Sequence, residues 1–332
     1  MAYRGCDLIL SCHEAETNHA KWLETRNAGI GGSDASVIMG LNPYKSPYQL
    51  WLEKTGQAEA PDLSHVQAVY WGSKNEANIA DWFQETTGKK VRKLGTLRSR
   101  AHPFMMANVD RAVMSEEAGL EIKTAGVSQA KKWRGDEIPD AYYCQCLHYL
   151  AVTGADRWYI AVLIGGNEAL YKVVERNEAD IKALIEAEAD FWHLVETKTP
   201  PPVDGSASCA AALSAQYKGG DPNLVILLPS DADGVIESLE NDKAIMEALK
   251  KQVAEKENRL KALLGNAEEG STDHYRVLWK TQAGRASVPL AKIKKQAPDI
   301  YQLLQDKGFV SVGKPSRRFS IKANDCCIDS IR

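Results

Sequence analysis

The stretch Leu120-Glu121-Ile122-Lys123-Thr124 limits what this chain can fold into more than any other. Its apolar and β-branched residues favour a strand, where residues two apart point to one face. Glu121 and Lys123 therefore stand side by side on a segment that otherwise suits an interior. Upstream, Met105 to Val113 also reads as a strand and carries Asp110. Between them, Ser115 to Gly119 has the length and closing glycine of a hairpin loop. If the two strands pair, Asp110 reaches the same point. Two carboxylates and an ammonium on a mostly apolar strand pair are costly unless they pair or hold a cation. A hard divalent ion held by Asp110, Glu121 and the Ile122 carbonyl meets that cost and leaves positions for water and phosphate. Such an ion activates water, and Lys123 beside it can orient that water or stabilise charge developing on a phosphate. A salt bridge between surface strands leaves the same spacing, so pattern alone keeps both readings open.

Three further groups of residues bear on the choice. Glu76, in Trp71-Gly72-Ser73-Lys74-Asn75-Glu76, offers a third carboxylate from an upstream helix, or a solvated helix residue. Gln145 and Tyr149 are four apart on a helix after the Glu121–Lys123 strand and so share a face, as an interior helix with a bonded amide also would. Arg26 and Ser33 flank the turn Gly29-Ile30-Gly31-Gly32, where backbone amides, a hydroxyl and a guanidinium can hold a phosphate. No lysine follows that turn as a P-loop requires.

Periodicity and breakers arrange the first two hundred residues as an α/β domain. Helices are expected near 20–26, 34–39, 47–52, 66–87, 139–150 and 178–196. Strands are expected near 90–97, 105–113, 120–124, 157–164 and 169–174. Thr199-Pro200-Pro201-Pro202 punctuates the end, giving one domain over 1–204 and an extension over 205–332. In the extension, apolar residues from Val235 to Leu264 keep nearly a seven-residue rhythm, which predicts a long amphipathic helix. Strands near 275–279 and 318–321 and a helix near 293–307 complete an α+β segment.

The net charge of −3 excludes polyanion binding by bulk charge but hides local fields. From His274 to Lys322, eleven basic residues stand against two acids. That segment can bind a polyanion or form a solvated face; Lys131-Lys132-Trp133-Arg134, after the Glu121–Lys123 strand, can touch a polyanion or form a solvated loop. The seven cysteines include no CxxC pair, which predicts reduced thiols and suits no iron–sulfur cluster. Neither a signal peptide nor an apolar run of about 20 residues is present, so a soluble, cytoplasmic protein is expected.

The ordered set Arg26…Gly31-Gly32-Ser33-Asp34, Trp71-Gly72…Glu76, Asp110, Glu121-Ile122-Lys123 and Gln145…Tyr149 resembles the YqaJ-like viral recombinases. These are related to phage lambda exonuclease, within the PD-(D/E)xK nuclease superfamily. The resemblance covers about Ala20 to Asp204. It implies a restriction-endonuclease-like core, a central mixed sheet flanked by helices. It also implies Mg²⁺-dependent 5′-to-3′ digestion of one strand of linear duplex DNA, with Mn²⁺ as a substitute. By resemblance Asp110 and Glu121 are metal ligands, Glu76 assists them, Lys123 is the catalytic lysine and Gln145 belongs to the catalytic group. Arg26 and Ser33 match positions that bind a 5′-phosphate, with Tyr149 beside them and Trp22 near the point where the strands part. A homo-oligomer (a trimer) and a single-strand annealing partner are implied as well, in a bacterial or phage-infected cell. The alternatives are an endonuclease on the same core and a non-catalytic DNA-binding recombination protein.

Overall fold

The computed structural model describes residues 3–284, 287–311 and 319–321. It divides into two compact units, 1–218 and 219–332. The first unit opens with β1 (Cys6–Leu10), α1 (Cys12–Thr17), α2 (His19–Asn27), α3 (Gly32–Ile38), α4 (Pro47–Lys54) and α5 (Gln67–Thr87). It continues with β2 (Val91–Arg92), β3 (Thr96–Ser99), β4 (Met106–Asn108), β5 (Arg111–Val113), β6 (Ala118–Ala125) and α6 (Asp140–Thr153). The hairpin of β7 (Arg157–Ile164) and β8 (Glu168–Glu175) and the helices α7 (Glu178–Glu196) and α8 (Ala207–Gln216) close it.

The ends of these helices follow from local chemistry. Ser11 and Glu14 form a reciprocal capping box on α1. Ser46 caps α4 ahead of Pro47, and Asn177 caps α7. Gly88 and Gly154 end α5 and α6 in the left-handed conformation, φ 72° and 71°.

The main sheet has five strands in the order β2-β5-β6-β7-β8. Only β6 and β7 are parallel, joined through α6, and β7–β8 is an antiparallel hairpin. Such a sheet must be covered on both faces, and β7 shows it. Trp158, Ile160, Val162 and Ile164 enter the core shared with α6, whereas Tyr159 and Ala161 join Ile79, Ala80 and Phe83 of α5. Leu120 and Ile122 of β6 lie on the α5 side, so Glu121 and Lys123 face α6. The expected mixed sheet flanked by helices is therefore what the chain forms.

A second sheet, β1-β3-β4, is antiparallel throughout. The expected single strands 90–97 and 105–113 are each split between the two sheets. Their chain leaves one sheet after Asn108 and enters the other at Arg111, with Asp110 at the handover. The first unit also runs past the expected boundary at 204. Cys209 and Ala212 of α8 are buried with Tyr48 and Trp51 of α4, and Tyr48 donates a 2.7 Å hydrogen bond to Gln216.

The second unit is α+β. It holds α9 (Ala232–Leu264), the hairpin β9 (Glu269–Ser271) and β10 (Arg276–Leu278), α10 (Leu290–Gln296) and α11 (Pro298–Asp306). The expected helix 293–307 is two helices, because Pro298 has no N–H to continue the first and biases Ala297 away from helical angles. Of the expected strand 318–321, Arg318 lies outside the described residues, and 319–321 carry no strand. Arg285, Lys314, Arg317, Lys322, Cys326 and Cys327 also lie outside them. Among the described residues no cysteine is in a disulfide, and no helix is long and apolar enough to cross a membrane.

Candidate active site

The β5–β6 hairpin assembles the charged cluster. Arg111 pairs with Leu120 across it, which brings Asp110 alongside the next residues of β6. The Asp110 carboxylate accepts a 2.7 Å hydrogen bond from the Ile122 amide. Burial, and then the neighbouring Glu121 charge, push the Asp110 carboxyl well above the usual carboxylate range. Glu121 is 3% exposed, deep enough that an unmatched charge there is expensive. Its Oε1 accepts from the Gln145 amide at 2.7 Å and meets the Lys123 ammonium at 2.6 Å. Its Oε2 is buried without a hydrogen-bond partner among the described residues. Burial alone would pull Lys123 down, but the Glu121 and Asp110 carboxylates hold its ammonium above the ordinary lysine range. Its Nζ also lies 5.1 Å from the centre of the Tyr142 ring.

The donor set suits a hard divalent cation. A buried carboxylate oxygen without a partner among the described residues and a second, half-buried carboxyl raised by desolvation and its neighbour both gain from a positive charge nearby. The fit rests on two carboxylates rather than three. Glu76 of α5 is paired with the Arg111 guanidinium and reaches the cluster as a nearby charge acting on Asp110. Among the described residues no group of three or more His, Cys, Asp or Glu side chains is placed to share an ion.

Gln145 and Tyr149, one turn apart on α6, extend the cluster. The Gln145 amide that holds Glu121 also donates to the Tyr149 hydroxyl at 2.8 Å. That hydroxyl lies 3.2 Å from the Asn108 carbonyl, which accepts from it. The Tyr149 ring lies against the N-terminus of α3: a Cβ built on Gly32 would sit 2.5 Å from it. Only glycine permits that approach. Strand β6 is thus tied through Gln145 and Tyr149 to the Gly31-Gly32-Ser33-Asp34 turn.

At that turn, Arg26 of α2 donates to the Ser33 hydroxyl at 3.3 Å. The two residues expected to share a phosphate do come together. The Arg26 guanidinium also lies 5.4 Å from the centre of the half-buried Trp22 ring, which stacks on His19. Beneath them is an ion pair that sequence reasoning missed. Lys54, the last residue of α4, sits 2.8 Å from Asp34 Oδ2 and donates to the Arg26 and Gly29 carbonyls at 2.9 and 2.6 Å. Burial would raise Asp34, but Lys54 and Arg26 hold it below the usual carboxylate range. The sequence held half of this signal: an acid in the first turn of α3 was visible, but nothing local marks Lys54 as its partner.

The Lys131–Arg134 segment does not form the fully solvated loop weighed above. It is a 3-10 turn over Val127–Lys132, and Trp133 is 1% exposed and stacked on Tyr142 at 5.4 Å.

Taken with the sheet, this geometry defines an α/β protein whose site pairs a buried and a half-buried acid with a lysine on the hairpin beside a parallel crossover. The YqaJ-like viral recombinase domain matches residues 21–156, which contain Arg26, Ser33, Glu76, Asp110, Glu121, Lys123, Gln145 and Tyr149. The YqaJ protein of Bacillus subtilis strain 168 is 37% identical over 312 residues, covering 93% of this chain and 95% of that protein. The chain belongs to the YqaJ-like viral recombinase family. Protein R354 of Acanthamoeba polyphaga mimivirus is 26% identical over 164 residues, 45% of this chain and 29% of that one. Among solved structures, the alkaline exonuclease LHK-Exo of Laribacter hongkongensis is similar with a TM-score of 0.47 and 16% identity, over 54% of this chain and 93% of that one. A phage-related exonuclease of Haemophilus somnus 129PT gives a TM-score of 0.39 and 12% identity, over 53% and 99%.

Proposed function

We propose that this chain is a Mg²⁺-dependent exonuclease that degrades one strand of linear double-stranded DNA from its ends, 5′ to 3′, in phage-type recombination by single-strand annealing. The observation that carries the reading is the buried Glu121 oxygen without a partner among the described residues, beside Asp110 and Lys123. Family membership supports the setting.

Asp110, Glu121 and the Ile122 carbonyl hold the cation, with Mn²⁺ accepted in place of Mg²⁺ and Glu76 adding negative charge nearby. When bound, the cation supplies Lewis-acid stabilisation of the phosphate and lowers the pKa of the attacking water. Gln145 fixes the Glu121 carboxylate, so its free oxygen keeps one direction. Lys123 stays protonated, orients the water and offsets charge developing on the non-bridging oxygens. Arg26 and Ser33 hold the 5′-phosphate, Tyr149 sets their distance from Glu121, and Trp22 stands where the strands separate. DNA ends, an annealing protein and further copies of this chain are the partners, in the cytoplasm of a bacterial or phage-infected cell.

Replacing Lys123 by alanine tests the reading. Release of nucleotides from linear duplex should fall about 10²–10³-fold, with divalent-ion binding by calorimetry retained. Unchanged hydrolysis would show that the chemistry lies elsewhere.

A further inference from the structure

Tyr142 stands in the first turn of α6, on the face that carries Gln145 and Tyr149 further along. That face looks onto the side of β6 that presents Glu121 and Lys123. The two elements are in step: the Gln145 amide bonds Glu121, and one turn earlier the centre of the Tyr142 ring lies 5.1 Å from Lys123 Nζ. The ring is itself held. Trp133, with its side chain in the core, stacks on it with the two planes 24° apart. Trp133 directly follows the Val127–Lys132 turn, and its amide donates to the Ala130 carbonyl at 3.0 Å. The segment after β6 therefore supplies the wall on which Tyr142 rests.

A lysine ammonium ends a flexible four-carbon stem, and a single ion pair does not fix its direction. The 2.6 Å contact draws Lys123 toward Glu121, the same carboxylate that the proposed function gives to a cation. A divalent ion there would share the Glu121 charge and weaken that draw. An aromatic face attracts an ammonium through its ring quadrupole and offers a metal no lone pair, so its hold persists. Tyr142 is half-buried and the Lys123 side chain is 22% exposed, so the contact is largely out of water, where such attraction is strongest. We propose that Tyr142, backed by Trp133, is a positioning residue that keeps the Lys123 ammonium beside the scissile phosphate, a role that rests on the nuclease reading above.

The test replaces the ring in the full-length protein and follows hydrolysis of linear duplex with saturating Mg²⁺. Tyr142→Phe keeps the aromatic face and should leave kcat within about twofold. Tyr142→Leu removes it and should lower kcat about tenfold, with KM for the duplex and calorimetric divalent-ion binding unchanged. A trifluorinated phenylalanine at position 142 keeps the shape and the Trp133 stack but cancels the negative face. Its kcat should fall toward that of Tyr142→Leu, which separates the electrostatic hold from any disturbance of folding. A second readout needs no activity: nuclear magnetic resonance of metal-free protein carrying labelled lysine. The Lys123 side-chain protons, assigned with Lys123→Ala, should be shifted upfield by the ring in the unmodified and Tyr142→Phe proteins and released in Tyr142→Leu. Equal kcat across the series, a change confined to KM, or Lys123 resonances that Tyr142→Leu does not move would overturn the proposal. An unmodified protein without hydrolysis removes the nuclease reading and this role with it, whereas a working enzyme indifferent to the ring removes this role alone.

Discussion

Glu121 has one carboxylate oxygen occupied twice over and the other without a partner among the described residues, and the neighbouring groups take their roles from that asymmetry. Glu121→Gln keeps the shape and removes the charge, so calorimetry should find divalent-ion binding lost; retained affinity would contradict the ligand assignment. Arg26→Ala should abolish the preference for 5′-phosphorylated over 5′-hydroxyl ends while leaving ion binding intact, read as initial rates on the two substrates. Gly32→Ala drives a methyl into the Tyr149 ring and should cost about 1–3 kcal/mol of stability by denaturant titration. Asp110, Glu121 and Lys123 were legible because charge at a two-residue period on an apolar strand has few explanations. The Arg111 partner of Glu76 was not, since it sits next to Asp110 and reads as an ordinary strand residue. Lys54 was equally hidden: its meaning lies in a contact with Asp34, twenty residues away in sequence.

Helices α6 and α7 are tied by a buried pair outside the site. The His148 ring meets Glu188 Oε1 at 2.8 Å through Nδ1 and donates through Nε2 to the Met106 carbonyl, also at 2.8 Å, and both side chains are fully buried. Burial works against the imidazolium, but the Glu188 charge raises His148 above its ordinary value; burial also raises Glu188. At His148 the folded state therefore binds its proton more tightly than the unfolded chain does. The stability this gives is complete below the unfolded histidine value, about 6.5, and is lost as pH rises through the folded one. His148→Ala should cost about 3–5 kcal/mol near pH 6 and progressively less toward pH 9, by urea titration. A cost that grows with pH would refute the assignment. The histidine itself carried no sequence signal, because its partner is on another helix. The handover at Asp110 was likewise unreadable: alternation within Met105–Val113 is the same whether the chain keeps one partner strand or changes to another. The break at Pro298 was readable in principle, since proline carries its own geometric warning.

For the whole molecule, the α/β unit with its covered mixed sheet was legible, since continuous apolar strands alternating with amphipathic helices leave few other architectures. The extent of that unit was not. Helix α8 is rich in small residues whose burial depends on α4, so proline punctuation at 200–202 marked a bend within the unit. Charge is a property of this scale too. With a net charge of −3, the proposed DNA binding must come from local basic groups, and affinity should fall steeply with salt as phosphate contacts are lost. The most direct test gives the full-length protein linear duplex and covalently closed circular duplex side by side, with Mg²⁺ and with EDTA. The linear DNA should disappear progressively from its ends only when Mg²⁺ is present, and the circle should stay whole. Cleavage of the circle, or loss of linear DNA in EDTA, would contradict a metal-dependent exonuclease.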